Sequence, residues 1–240
     1  MIFRQILHEE KSCLSYMVGC PDKGVCAVVD AQGKPEEYIN LADKLGLKIT
    51  AVIETHIQAD HLSSSAELAR KARALLYFGP KATIKYDFKE LSDGATIKIG
   101  RRTIKAIHTP GHTAEHISLL VDDWLVMTGD TLFVGDVGRV DLVEEDAETA
   151  QVKAKAKDLY QSVQKLLKLP DWTEIYPGHY RGSACGKGMD SKTSSTIGRE
   201  RRKNPALQLD ERAFIKYLFE DMPVAPRDFI KIKRKNSGYH

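Results

Sequence analysis

Four times along this chain an apolar, β-prone run stops in a Gly- or Thr-rich turn that carries a His or an Asp. The turns are Thr55-His56-Ile57-Gln58-Ala59-Asp60-His61, Thr109-Pro110-Gly111-His112-Thr113-Ala114-Glu115-His116, Thr128-Gly129-Asp130-Thr131-Leu132-Phe133 and Tyr176-Pro177-Gly178-His179. A fifth segment, Gly135-Asp136-Val137-Gly138-Arg139-Val140-Asp141, is also Gly-rich and charged. A strand end anchors a side chain while the turn lets it point into a cleft. A lone His after a strand is more often a surface or core residue. Here His56, His61, His112, His116 and His179 all fall inside these segments, which chance explains poorly. Neutral imidazoles with a carboxylate suit zinc or non-haem iron.

The rest of the chain alternates strands and helices. Residues 13–18 and 25–30 read as strands about a turn-rich segment, 48–53 as a strand running into His56, and 75–78 as a short strand. Residues 95–99 and 102–107 read as a hairpin; 117–121, 125–127 and the pair Ile175-Tyr176 are further strands. Helices are predicted over 35–45, with Gly46 as the stop, over 63–73, from a cap at Asp146 to about 168, and over 211–219. Strands with interspersed helices in both halves predict two sheets with helices packed outside. The Gly/Ser/Thr-rich stretch 182–198 reads as a long loop, and such loops in compact domains are usually functional or disordered.

A hydrophobic content of 42% supports an ordinary buried core, and 240 residues suit one large domain or two small ones. A net charge of +3 is too weak to argue for nucleic acid. Arg199, Arg201, Arg202 and Lys203 cluster, as do Lys231, Lys233, Arg234 and Lys235. They read as a solvated helix face and a solvated tail, or as a rim that attracts a small anion. No apolar run reaches the roughly 18 residues that span a bilayer, and the first residues lack a signal-peptide stretch. A cytoplasmic protein is the expectation, with no nucleic-acid or membrane partner. Cys13, Cys20, Cys26 and Cys185 form no Cys-x-x-Cys unit and read as reduced thiols.

On these motifs the chain resembles the metallo-β-lactamase superfamily, from about Phe3 to Leu207. The family's His-x-His-x-Asp-His motif reads His56-Ile57-Gln58-Ala59-Asp60-His61; its third His matches His112, its Asp matches Asp130 and its last His matches His179. Thr-Pro-Gly-His-Thr at 109–113, Thr-Gly-Asp-Thr-Leu-Phe at 128–133 and Gly-Arg-Val-Asp-Leu at 138–142 resemble the persulfide dioxygenases, relatives of glyoxalase II. So do the loop 182–187 and Arg201-Arg202-Lys203-Asn204-Pro205, which resemble prokaryotic members without a rhodanese domain. The resemblance implies an α+β, four-layer αββα sandwich over 1–207, with 208–240 a C-terminal helix and basic tail packed on it.

It also implies a reaction: one Fe(II) per chain, held by His56, His112 and Asp130, oxidising a small thiol persulfide with dioxygen. Zinc is the alternative metal. Gln58 replaces the second His of the motif, and a neutral amide is a poor zinc ligand, so the substitution weakens a two-zinc hydrolase more than a facial-triad oxygenase. Asp60, His61 and His179 then orient ligands and relay protons, although with Asp130 they also form a complete set for the superfamily's other metal position. Tyr180 and Cys185 are further catalytic candidates, the latter with a thiolate stabilised by nearby Lys187. Arg139, Arg181 and Lys187 are candidate substrate-binding cations, and Arg139 equally suits a role holding the Asp130 loop. His108 and His116 read as structural. Two rivals stand: a glyoxalase II-like thioester hydrolase, and a non-catalytic metal- or sulfur-binding protein with persulfide on Cys185. A homodimer is left open.

Overall fold

The computed structural model describes residues 1–142 and 149–239. The first sheet is ordered β1 (Ile2–His8), β2 (Cys13–Cys20), β3 (Val25–Val29), β4 (Lys48–Ile53), β5 (Leu75–Phe78), β6 (Lys89–Glu90). The helices α1 (Pro35–Lys44) and α2 (Ser65–Ala72) belong to this half. The second sheet contains β7 (Thr96–Ile99), β8 (Arg102–His108), β9 (Ile117–Val121), β10 (Leu125–Gly129), β11 (Glu174–Pro177) and β12 (Ser195–Thr196), in the order β12-β11-β10-β9-β8-β7. Its helices are α3 (Thr149–Leu166), α4 (Ile197–Lys203) and α5 (Glu211–Phe219), while α6 (Phe229–Asn236) returns to the first half. The expected cap at Asp146 lies outside the described residues.

Strand side chains alternate faces, and that alternation builds four layers. In β2, Leu14, Tyr16 and Val18 face the second sheet and meet Ile117, Leu119, Val121 and Met127. Met17 points the other way, with Val28 and Val52, against Tyr38 and Ala42 of α1 and Leu68 of α2. On the far side, Leu120, Val126 and Ile175 pack against Leu159, Val163 and Leu166 of α3 and Phe214 of α5. Both faces of the inner strands are covered, so β2, β9 and β10 are buried along their whole length and show no polar alternation. This is an αββα sandwich.

The topology then fixes where the turns go. β8 and β10 both pair antiparallel with β9, and β10 pairs parallel with β11, so all three end at the same edge. In the other sheet β4 ends at Ile53, and two residues on the Thr55 carbonyl accepts from the Ile117 N–H at 2.8 Å. The four ligand-bearing turns therefore meet at one edge of the sandwich.

One region differs from the sequence reading. The Lys231–Lys235 stretch is not a tail but helix α6, docked on the 58–63 loop through Asn236. Three of the four basic residues of α4 make surface ion pairs, with Arg202 3.1 Å from Asp171, Arg201 on the same carboxylate and Arg199 2.8 Å from Glu200, while Lys203 is exposed, as a solvated helix face requires. Among the described residues no helix is long and apolar enough to cross a membrane.

Candidate metal centre

His56 Nε2 and His112 Nε2 lie 3.9 and 3.6 Å from Asp130 Oδ2, and all three residues are buried. Hydrogen bonds behind the rings set their tautomers. The Thr55 hydroxyl donates to Asp30 at 2.9 Å, so it accepts from His56 Nδ1 at 2.9 Å. His112 Nδ1 donates to the Arg139 carbonyl at 2.8 Å. Each ring therefore turns a bare Nε2 lone pair toward Asp130. Burial pushes the His56 pKa down to about 3 and that of His112 to about 4, so neither ring need lose a proton before binding a metal.

Asp130 is held just as firmly. Its N–H donates to His116 Nε2 at 2.9 Å, and His116 Nδ1 meets the Thr109 and Thr131 hydroxyls at 2.9 and 3.1 Å. Its Oδ1 accepts from His179 Nδ1 at 2.7 Å, but Oδ2 is buried without a partner. A buried carboxylate oxygen with no donor calls for an explanation, and a metal ion shared with two imidazole lone pairs fits it. The donor set, two neutral nitrogens and one carboxylate, suits iron or zinc.

Beside this triad is a second cluster. His179 Nε2 lies 3.1 Å from Asp60 Oδ2, and His61 Nδ1 lies 3.0 Å from Asp60 Oδ1. Burial opposes a charge on His61, but the Asp60 carboxylate overrides it and raises the pKa to about 10. Burial opposes a charge on His179 too, but Asp130 and its other anionic neighbours, Asp60 among them, together shift it in the same direction. Cys13 completes this group, with its sulfur 3.4 Å from Asp60 and 3.6 Å from His61. The sequence reading left Cys13 as a packed thiol. Either cluster could hold a metal ion.

The remaining candidates are dispersed. Arg139 is 1% exposed; its guanidinium forks onto Asp141 at 2.7 Å and bonds the Ala184 carbonyl at 2.8 Å. This is the loop-holding alternative rather than the substrate contact: with those bonds made, it props the carbonyl that orients His112. Lys187 reaches the Tyr217 and Glu220 carbonyls and lies over the Tyr217 ring at 3.8 Å. Its ammonium is therefore spent on those carbonyls and does not stabilise a thiolate at Cys185, whose thiol burial pushes up to about 12. Asp136 accepts from the Lys187 and Gly188 N–H groups at 2.7 Å and fixes the loop at this point. Cys185 itself lies 4.0 Å from His179 Nε2, in a pocket with Phe133 and Met189. Arg181 is exposed and bonds the Met189 carbonyl, and Tyr180 is half-buried against the core. His108 bonds the Ala114 carbonyl at 2.9 Å, apart from both clusters.

Two glycines are dictated by the approach of the chain to Asp130. A Cβ on Gly138 would stand 1.8 Å from the Asp130 carbonyl oxygen, and one on Gly178 would stand 2.5 Å from Asp130 Oδ1. Gly138→Ala is expected to cost at least about 3 kcal/mol through overpacking against backbone. That corresponds to a fall of about 6–12 °C in Tm. A thermal melt at unchanged Tm would show that the loop gives way freely.

A four-layer sandwich with a His/His/Asp cluster at its edge defines the class. The metallo-β-lactamase superfamily model matches residues 73–179, and the chain belongs to that superfamily. It is 30% identical to the mitochondrial persulfide dioxygenase of Bos taurus over 91% of this chain and 80% of that one. It is 28% identical to a hydroxyacylglutathione hydrolase of Rhizobium etli over 93% of both. A solved metallo-β-lactamase of Staphylococcus aureus superposes with a TM-score of 0.91 at 32% identity, covering 98% of this chain and 72% of that one. The relatives thus include both a dioxygenase and a thioester hydrolase at similar identity.

Proposed function

We propose that the chain is a non-haem iron sulfur dioxygenase that oxidises a small thiol persulfide, such as glutathione persulfide, to sulfite and thiol. The observation that carries this reading is the triad itself: His56, His112 and Asp130 present three donor atoms, and the fourth residue of the family's first site is the amide of Gln58. Two imidazoles and one carboxylate leave open positions on Fe(II) for an anionic sulfur and dioxygen. The overall change is balanced by one water per dioxygen: the terminal sulfur leaves as sulfite, the inner sulfur as thiol, with two protons released.

The protein's own part is orientation and proton handling. Thr55, backed by Asp30, and the Arg139 carbonyl hold the two imidazoles with Nε2 forward. His179, between the Asp130 and Asp60 carboxylates, holds a proton beside the triad and can return it to the departing thiol. Arg181 is left as the exposed cation for an anionic carrier, while Tyr180 follows His179 in sequence and Cys185 lies 4.0 Å from its Nε2.

The rival thioester hydrolase is favoured by one feature: Asp60, His61, His179 and Asp130 stand together as a complete second ligand set. A metal ion held by these residues would supply an activated water for thioester hydrolysis. An oxygen electrode with glutathione persulfide, and a thioester absorbance assay with S-lactoylglutathione, on one iron-loaded preparation, separate the two. Persulfide-dependent oxygen uptake with little thioester hydrolysis is expected. Thioester turnover without oxygen uptake would reverse the assignment.

A further inference from the structure

Residues 57–63 carry Gln58, Asp60 and His61, yet the stretch is neither helix nor strand. Its one backbone pairing among the described residues is an isolated bridge between Ser63 and Gln32. The buried N–H and C=O groups of such a stretch must find partners among side chains. At its start the chain is held twice. Ile57 packs in the outer core with Val52 and Leu68, and its N–H donates to Glu115 Oε1 at 2.9 Å. Beyond Ala59 there is no apolar anchor, because Leu62 is 54% exposed.

One side chain takes the place of that anchor. Asn236, at the end of α6, accepts from the Ser63 N–H at 3.0 Å and donates to the Gln58 and His61 carbonyls at 2.9 and 2.8 Å. The whole amide is used, its oxygen and both N–H groups. Its orientation follows from that set, since turning it over would press its oxygen against two carbonyls. The end of α6 is itself tied down: the Tyr86 hydroxyl donates to the Lys235 carbonyl at 3.1 Å, and the Lys85 N–H to the Ser237 carbonyl at 2.9 Å. The three bonds of Asn236 bracket Asp60, whose Oδ2 meets His179 Nε2 at 3.1 Å.

We propose that Asn236 is a positioning residue of the metal centre. It bonds no member of the triad; it fixes the backbone from Gln58 to Ser63, and so keeps Asp60 within hydrogen-bond reach of His179. The proposal rests on the reading of His179 as the holder of the proton beside the triad, and half of its test involves no turnover.

Hydrogen exchange and steady-state kinetics on the metal-loaded protein compare wild type with Asn236→Ala, Asn236→Asp and Tyr86→Phe. Aspartate keeps the shape and the acceptor but cannot donate to the two carbonyls. Tyr86→Phe loosens α6 and leaves the Asn236 amide intact. In both Asn236 variants the amides of 57–63 are expected to exchange about tenfold faster or more, while those of β9 and β10 keep their protection. Metal content and KM should stay at the wild-type level while kcat falls about tenfold or more, the scale of a misplaced site group. Tyr86→Phe should match wild type in loop exchange and in kcat. Unchanged loop exchange in Asn236→Asp, faster exchange that extends to β9 and β10, or a loosened loop with wild-type kcat would overturn the proposal. Should the wild type turn over S-lactoylglutathione and not a persulfide, the dioxygenase reading falls, and the exchange comparison still decides whether Asn236 holds the loop.

Discussion

Replacing any one of His56, His112 or Asp130 by alanine is expected to leave the protein with less than about a tenth of its wild-type metal after dialysis. Losing an outer hydrogen-bond partner of a metal ligand already costs roughly 10–100-fold in affinity, and here a ligand itself is removed from a set of three. The geometry offers no replacement within that set. Asp60 and His179 are bonded to each other at 3.1 Å, and His116, although near, spends both ring nitrogens on the Asp130 N–H and on two threonine hydroxyls. Asp130→Ala carries an additional consequence, because the protonated His179 loses the carboxylate that most favours its charge. Asp130→Asn separates the two effects: it keeps the side-chain shape but removes the anionic oxygen. Metal content by plasma emission on anaerobically purified protein checks the set. Full iron in any of the alanine variants would place the metal elsewhere.

The ligand turns were legible in the sequence because each is a local event: an apolar strand, a turn residue and a ligand within a few positions. What holds those ligands is not local. Asp30, which fixes Thr55 and through it His56, stands at the end of another strand, 25 residues before Thr55. Glu115 accepts from the Ile57 N–H across 58 residues, and Asn236 bonds the Gln58 and His61 carbonyls across 178 and 175. Pairings of that span leave no periodic trace in one sequence. The same limit explains Cys13. Residues 13–18 read correctly as a strand, but nothing in a run of apolar residues announces that its first side chain meets Asp60 and His61. Lys187 shows the opposite error, in which proximity along the chain suggested a partner for Cys185 whose ammonium is spent on the Tyr217 and Glu220 carbonyls. The layers fared better, since burial on both faces of β2, β9 and β10 matches their largely apolar runs, which carry only small hydroxyl residues such as Ser15 and Ser118.

Gln58 provides the sharpest test between the one-metal and the two-metal readings of the site. Gln58→Ala is expected to keep the iron, because the amide is outside the triad and its nitrogen faces Glu54 rather than a metal ligand. Gln58→His is expected to raise the metal content from one toward two per chain. An imidazole at that position would complete the His-x-His pair with His56, giving the triad side a third nitrogen and leaving Asp60, His61 and His179 to hold a second ion with Asp130. The second ion has to displace protons from His61 and His179, both held above the usual histidine range, so its binding should strengthen as pH rises. Zinc titration of the variant at two pH values, with metal-to-protein ratios read by plasma emission, checks this. If Gln58→Ala empties the site as thoroughly as His56→Ala, the amide is itself a ligand and the three-residue assignment is wrong.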